Sequence, residues 1–208
     1  MKKGLFITFE GPDGSGKTTV STEVISKLQA DGYKVKYTRE PGGSKIAEEI
    51  REVILDPSNT EMDARTEALL YAASRRQHLV EKVIPAIEEG TTVISDRFID
   101  SSLAYQGCGR NIGIEEVYSI NTFACMGKMP DKTIFLNVPS EVGLKRIASR
   151  SNLDRLDQES ENFHKAVYDG YQKVIAMYKD RMIIVDASRP VEEVIEEVYK
   201  IVKGLLDA

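Results

Sequence analysis

The stretch Leu5-Phe6-Ile7-Thr8-Phe9-Glu10-Gly11-Pro12-Asp13-Gly14-Ser15-Gly16-Lys17-Thr18-Thr19 decides the fold. It opens as an apolar run of strand length. It then passes through Gly11, Gly14 and Gly16 into a segment where Val20, Val24, Ile25 and Leu28 keep to one face of a helix. The hinge between strand and helix has the spacing GxxxxGK[ST]. Glycines at those positions let backbone N–H groups turn inward around phosphate oxygens, and the helix N-terminus adds a positive end. Residues Gly11 to Thr19 are therefore expected to cradle the phosphates of a nucleoside triphosphate such as ATP. Lys17 would neutralise the β- and γ-phosphates, and the Thr18 hydroxyl would ligate Mg²⁺.

Outward from this hinge, strand-like runs at Lys34–Thr38, Thr92–Ser95, Lys132–Val138 and Met182–Asp186 join Leu5–Glu10. Longer segments of helical period separate them. That alternation predicts an α/β domain, a P-loop three-layer α/β/α arrangement with a five-stranded parallel sheet flanked by helices. Val191, Val194, Ile195, Val198, Ile201, Val202 and Leu205 form the cleanest apolar stripe, and Glu192, Glu193, Glu196 and Glu197 form its solvated face. Ala64 to Glu89 reads as one long helix that Pro85 bends or breaks late. Gly107 to Gly113 reads as a polar glycine-rich loop. Ser149 to Glu159, charged and nearly without apolar residues, reads as an exposed, mobile segment. No linker divides the chain, so residues 1–208 are expected to form one domain. Asp96 closes the run Val93-Ile94 at the carboxyl edge of a strand, where ligands of open α/β sheets gather. It suits a second, water-mediated contact to Mg²⁺, or the cap of a following helix.

Composition narrows the function. The chain has 208 residues, of which 41% are hydrophobic and 29% charged, as in an ordinary soluble globular protein. No apolar run reaches the length of a membrane span. The first residues enter a strand and meet Glu10 too soon for a secretory signal, so a cytoplasmic address is expected. Twenty-eight basic residues against 33 acidic ones leave a net charge of −5, which argues against polymeric nucleic acid as a partner. Cys108 and Cys125 are the only cysteines, too far apart for a zinc ribbon, and read as reduced thiols.

A phosphate cradle does not say which reaction follows. The chain has no NKxD guanine motif, but arginines recur at Arg39, Arg51, Arg75, Arg97, Arg146, Arg150 and Arg155. Guanidinium groups grip phosphate bidentately and stabilise a phosphoryl group in transfer. The pattern points to phosphoryl transfer between two small phosphorylated molecules.

Several blocks resemble the bacterial-type thymidylate kinase family, and the resemblance runs nearly end to end. They are Phe9 to Thr19, Thr38-Arg39-Glu40-Pro41-Gly42-Gly43, Asp96-Arg97-Phe98, Ser101 to Gly107, Leu153-Asp154-Arg155 and Val185-Asp186-Ala187-Ser188. The resemblance implies transfer of phosphate from MgATP to dTMP, giving dTDP and ADP on the way to dTTP, in a homodimer. It implies an acceptor-binding region at about residues 39–75 and a mobile lid at about 146–160. In such a site Tyr71 stacks on thymine while Arg75 and Gln106 bond its edge. Tyr105 crowds the sugar 2′ position, and Asp13 contacts the 3′-hydroxyl. Arg51 and Arg97 grip the acceptor phosphate, with Arg39, Glu40 and Ser102 shaping that end of the pocket. Arg155 supplies charge near the transferred phosphoryl, Arg150 contacts adenine, and Arg189 lines the adenine site. Lys17, Arg97, Arg155 and Asp13 are thus the expected catalytic set, with Thr18 and Asp96 at the metal. His78 and His164 are expected to be structural or surface residues, because a phosphate acceptor ionised at neutral pH needs no general base. Another nucleoside monophosphate or deoxynucleoside kinase on this fold remains an alternative. A P-loop ATPase that switches a partner's binding is a more remote one.

Overall fold

The structure, a computed structural model, describes residues 3–148 and 154–208. Its centre is a parallel sheet of β1 (Phe6–Glu10), β2 (Val35–Arg39), β3 (Thr92–Asp96), β4 (Lys132–Asn137) and β5 (Met182–Asp186), in the order β2-β3-β1-β4-β5. The five strands are those expected, with ends shifted by a residue or so. β2 runs on to Arg39 because its ladder with β3 continues to the Arg39–Asp96 pair, which brings two expected site residues side by side at the carboxyl edge.

Strand residues alternate between the two faces, and β1 shows the consequence. Ile7 and Phe9 are buried with Val20, Val24 and Leu28 of α1 (Lys17–Ala30) and Val194, Val198 and Val202 of α9 (Val191–Asp207). Phe6 faces the other layer, with Leu79, Val83, Phe98, Ile99, Leu103 and Val174. That layer holds α3 (Ala64–His78), α5 (Ile99–Ser102), α6 (Ile114–Cys125) and α8 (Glu161–Met177). The remaining helices are α2 (Lys45–Leu55), α4 (Ile84–Glu88) and α7 (Ser140–Ala148). β1 lies centrally, and the chain winds to β3 on one side and β4 on the other. The loop after β1 is therefore a switch point where a crevice opens.

Three expectations change. The helix expected over Ala64–Glu89 starts at Ala64, capped by the Asp63 carboxylate, which accepts from the backbone N–H of Arg65 and Thr66 at 2.9 and 3.0 Å. It stays regular only to His78, widens into a π-type turn at Leu79–Val83, and resumes as α4. Pro85 has no N–H, and its ring would strike the carbonyl four residues back; the wide turn just before it relieves both. The loop expected at Gly107–Gly113 is helical as far as Gly109 within a second wide turn, Leu103–Gly109. Packing against α8 imposes this: a Cβ at Gly109 would lie 2.7 Å from the Phe163 ring and one at Gly170 2.8 Å from Cys108 Cβ. Finally, Arg155 and Leu156 are buried rather than exposed. The first part of that segment, with Arg150, lies outside the described residues.

Candidate active site

A glycine-rich turn joins β1 to α1 at Gly11–Gly16. Gly11, Gly14 and Gly16 all have positive φ, and Gly16 stands at the start of α1. Gly14 (φ +75°) has no room for a side chain, since a Cβ there would lie 2.3 Å from the Gly143 carbonyl oxygen of α7. Lys17 is buried, and its ammonium donates to the Gly11 and Pro12 carbonyls at 2.9 Å each and to Ser15 Oγ at 3.3 Å. Burial, with the Arg97 charge adding to it, lowers the Lys17 pKa to about 8. The Thr18 hydroxyl donates to Asp96 Oδ2 at 2.7 Å, so the two expected metal residues stand together at the edge of the cradle.

Beside it lies a second cluster. Arg97, at φ 71°, sits in the left-handed region that side chains rarely enter, a conformation that recurs at functional sites. Its guanidinium pairs with Asp13 and donates to Ser101 Oγ at 3.0 Å and to the Tyr105 and Tyr171 hydroxyls at 3.2 Å. Tyr105 in turn donates to Asp13 Oδ2 at 2.6 Å. Burial alone would raise the Asp13 pKa, but Arg97 and Lys17 hold it below the usual carboxylate range. A carboxylate inside a phosphate cradle is thus offset by two cations. Glu10 backs the cluster from the strand end, accepting from the Phe98 N–H at 2.7 Å, Ser101 Oγ at 2.6 Å and Tyr171 OH at 3.1 Å. Burial, with the Asp100 charge adding, pushes the Glu10 pKa up to about 7.

Two clefts meet here. One, of about 810 Å³, is lined by Gly14, Gly16, Lys17, Thr18, Thr19 and Asp96, together with Tyr37 and Arg39. The other, of about 450 Å³, is lined by Tyr71, Tyr105, Gln106, Ser101, Leu55 and Pro41. Asp13, Glu40, Arg51, Arg97 and Asp154 line both. The glycine-rich turn thus opens directly into a smaller cleft with an aromatic wall, an arrangement that can hold two phosphorylated molecules end to end.

The other expected residues are placed as follows. Arg51, at the junction, donates to the Pro41 carbonyl at 2.8 Å; Arg39, on the larger cleft alone, donates to Glu48 at 2.9 Å. Arg75 shares a helix with Tyr71 but is fully buried beneath the cleft; its Nε donates to Glu40 at 2.7 Å and its Nη atoms to Ser102 Oγ at 3.1 Å. Arg75 and Ser102 therefore support the pocket from below and line neither cleft. Arg155 also lines neither: it donates to Glu67 at 2.6 Å and to the Ile54 carbonyl at 2.8 Å. Arg189 pairs with Glu197 on α9, outside both clefts. Both histidines are buried, and His78 bridges Glu40 (2.8 Å) and Thr38 (2.6 Å) as a structural group. Tyr171 and Glu67 escape the sequence reading, because a lone Tyr or Glu carries no spacing signal; Ser101 stands in one of the resembling blocks, which gives it no role.

The thymidylate kinase family model matches residues 9–198, most of the chain and both clefts. The chain belongs to the thymidylate kinase family. Two thymidylate kinases show how close the relation is. That of Bacillus pumilus is 55% identical over 205 residues, covering 98% of this chain and 97% of the relative. That of Clostridium novyi is 55% identical over 208 residues, covering 99% and 100%. Among solved structures, thymidylate kinase from Ehrlichia chaffeensis superposes with a TM-score of 0.77 at 30% identity, covering 97% of this chain and 99% of its own. The match of the thymidylate kinase family thus extends over the cradle, the second cleft and the sheet that joins them.

Proposed function

We propose that this protein transfers the γ-phosphoryl group of ATP to dTMP in the joined clefts, releasing ADP and dTDP in dTTP synthesis. The observation that carries this reading is that Asp13 and Arg97, already ion-paired, line both the phosphate cradle and the aromatic cleft. A guanidinium at that junction faces the donor γ-phosphate on one side and the acceptor phosphate on the other.

The acceptor oxygen attacks phosphorus as the bond to ADP breaks. A phosphate monoester has its second pKa near ~6, so that oxygen is already ionised at neutral pH and no general base is required. The work left to the protein is positioning and charge neutralisation. Lys17 and Arg97 supply positive charge, Arg51 and Arg97 grip the acceptor phosphate, and Arg39 and Glu40 shape that end. Tyr71 stacks on the base, Gln106 reads its edge, Tyr105 limits the sugar 2′ position, and Asp13 meets the 3′-hydroxyl. With Arg155 engaged by Glu67, its charge is held behind the acceptor cleft, where Glu67 also meets Gln106.

The hydroxyl of Thr18 and the carboxylate of Asp96 are hard oxygen donors at the mouth of the cradle, and they fit Mg²⁺. The ion would supply further neutralisation of the triphosphate's negative charge. Residues 1–208 are read as one domain, working in the cytoplasm. α3 and α6, which pack on each other, expose Leu69 and Phe123 (86%), and Met126 (72%) follows α6. Large apolar side chains left exposed on two neighbouring helices support a homodimer through those helices. The test is product balance: MgATP and dTMP give equal ADP and dTDP, and chelating the metal stops both. ADP formed without dTDP would refute the reading.

A further inference from the structure

Glu67, on the first turns of α3, is a carboxylate with no solvent exposure. It accepts hydrogen bonds from Arg110 Nη2 at 3.0 Å, Arg155 Nη2 at 2.6 Å and Gln106 Nε2 at 2.8 Å. Burial alone would raise its pKa, but Arg110, Gln106 and Arg155 hold it below the usual range, so it stays ionised at neutral pH. An ionised carboxylate only accepts. Beside it, the Gln106 amide has one available orientation: nitrogen toward Glu67 and carbonyl oxygen on the opposite branch. Gln106 lines the smaller cleft.

We propose that Glu67 sets base selectivity by holding the amide nitrogen of Gln106, so that the amide carbonyl faces the acceptor base as a fixed hydrogen-bond acceptor. Thymine and uracil carry a proton on N3 and donate to that oxygen. Cytosine carries a lone pair on N3, which the same oxygen repels. A free glutamine would satisfy either base by flipping; a clamped one cannot. The two arginines keep the clamp charged, and Arg155 joins it to the segment that follows residue 153. Glu67 touches no substrate in this scheme and acts as a positioning residue through Gln106. The inference rests on Gln106 reading the base edge.

The test compares kcat/KM for dTMP with that for dCMP in the whole enzyme, in Glu67→Gln, in Gln106→Leu and in Arg110→Met. An amide at position 67 can present nitrogen or oxygen and so releases the clamp. Glu67→Gln is expected to lower the dTMP-to-dCMP ratio by about tenfold or more, mainly through KM. Arg110→Met leaves the contact between Glu67 and Gln106 in place, with Arg155 still paired to Glu67 to keep it charged, and is expected to keep the ratio. A purely structural role for Glu67 would lower both activities together; an unchanged ratio in Glu67→Gln, or an equal fall in Arg110→Met, overturns the proposal. If Gln106→Leu leaves the ratio intact, the reading of Gln106 itself fails. If it lowers the ratio while Glu67→Gln does not, Glu67 alone is dismissed. Should Glu67→Gln not fold, Glu67→Asp replaces it. That variant keeps the charge for both guanidinium groups but withdraws it by one methylene from Gln106. The ratio is expected to fall again, and an unchanged one overturns the proposal.

Discussion

Replacing Glu40 by Gln removes one charge from a buried pair while keeping its shape, and the structure sets the size of the effect. The Glu40 and Arg75 side chains are 2% and 1% exposed and meet at 2.7 Å, with His78 on the other carboxylate oxygen. Breaking a buried pair from one side costs about 3–5 kcal/mol, because the surviving charge stays desolvated. Arg75 retains Ser102 and Asn121, and a glutamine oxygen still accepts from its Nε. The loss should therefore fall at the lower end, about 3 kcal/mol, which in a chain of this size lowers Tm by about 6–12 °C. Urea unfolding of Glu40→Gln, Arg75→Met and the double variant measures it. The double variant should lose less than the sum of the singles by about 2 kcal/mol, since each single strands the other's charge. Glu40 borders both clefts, but its partner Arg75 lies beneath the acceptor cleft on the helix of Tyr71, so KM for dTMP should rise more than KM for ATP. A Glu40→Gln protein within about 1 kcal/mol of the parent, or singles that simply add, would refute this reasoning.

Three further outcomes follow from the site. Gly14→Ala drives a Cβ into the Gly143 carbonyl and should weaken ATP binding by about tenfold or more while leaving secondary structure intact; unchanged affinity contradicts the packing of the cradle on α7. The Lys17 pKa, lowered to about 8 in the free protein, is raised again by bound phosphates. Affinity for MgATP should therefore fall as pH rises past 8, with proton uptake on binding visible by calorimetry in two buffers; no uptake between about pH 8 and 9 removes Lys17 from the phosphate site. Phe123→Glu, at a largely exposed position, should yield a folded monomer by sedimentation, and an unchanged oligomer would place the interface elsewhere.

The parallel sheet and the cradle were legible because both are written as local pattern. Period-two and helical apolar runs mark the strands and helices, and the glycines before Lys17 mark the turn. What was not legible depends on tertiary packing. Gly107 to Gly109 look like loop residues, yet α8 holds them helical. Arg155 looks like part of a solvated lid, yet a buried glutamate 88 residues earlier accepts its charge. Arg75 and Tyr71 stand four apart on one helix, but the spacing alone does not say that the guanidinium turns down to Glu40 while the ring faces the cleft. Ser101 and Tyr171 reach Arg97 from two separate helices, and no sequence interval joins them.

The most direct measurement is ADP release from MgATP with dTMP, dCMP, thymidine or no acceptor. Rapid release with dTMP and near-background release with the other three is the expected result. Equal release with and without an acceptor would mean that water takes the phosphoryl group and that the second cleft is not an acceptor site.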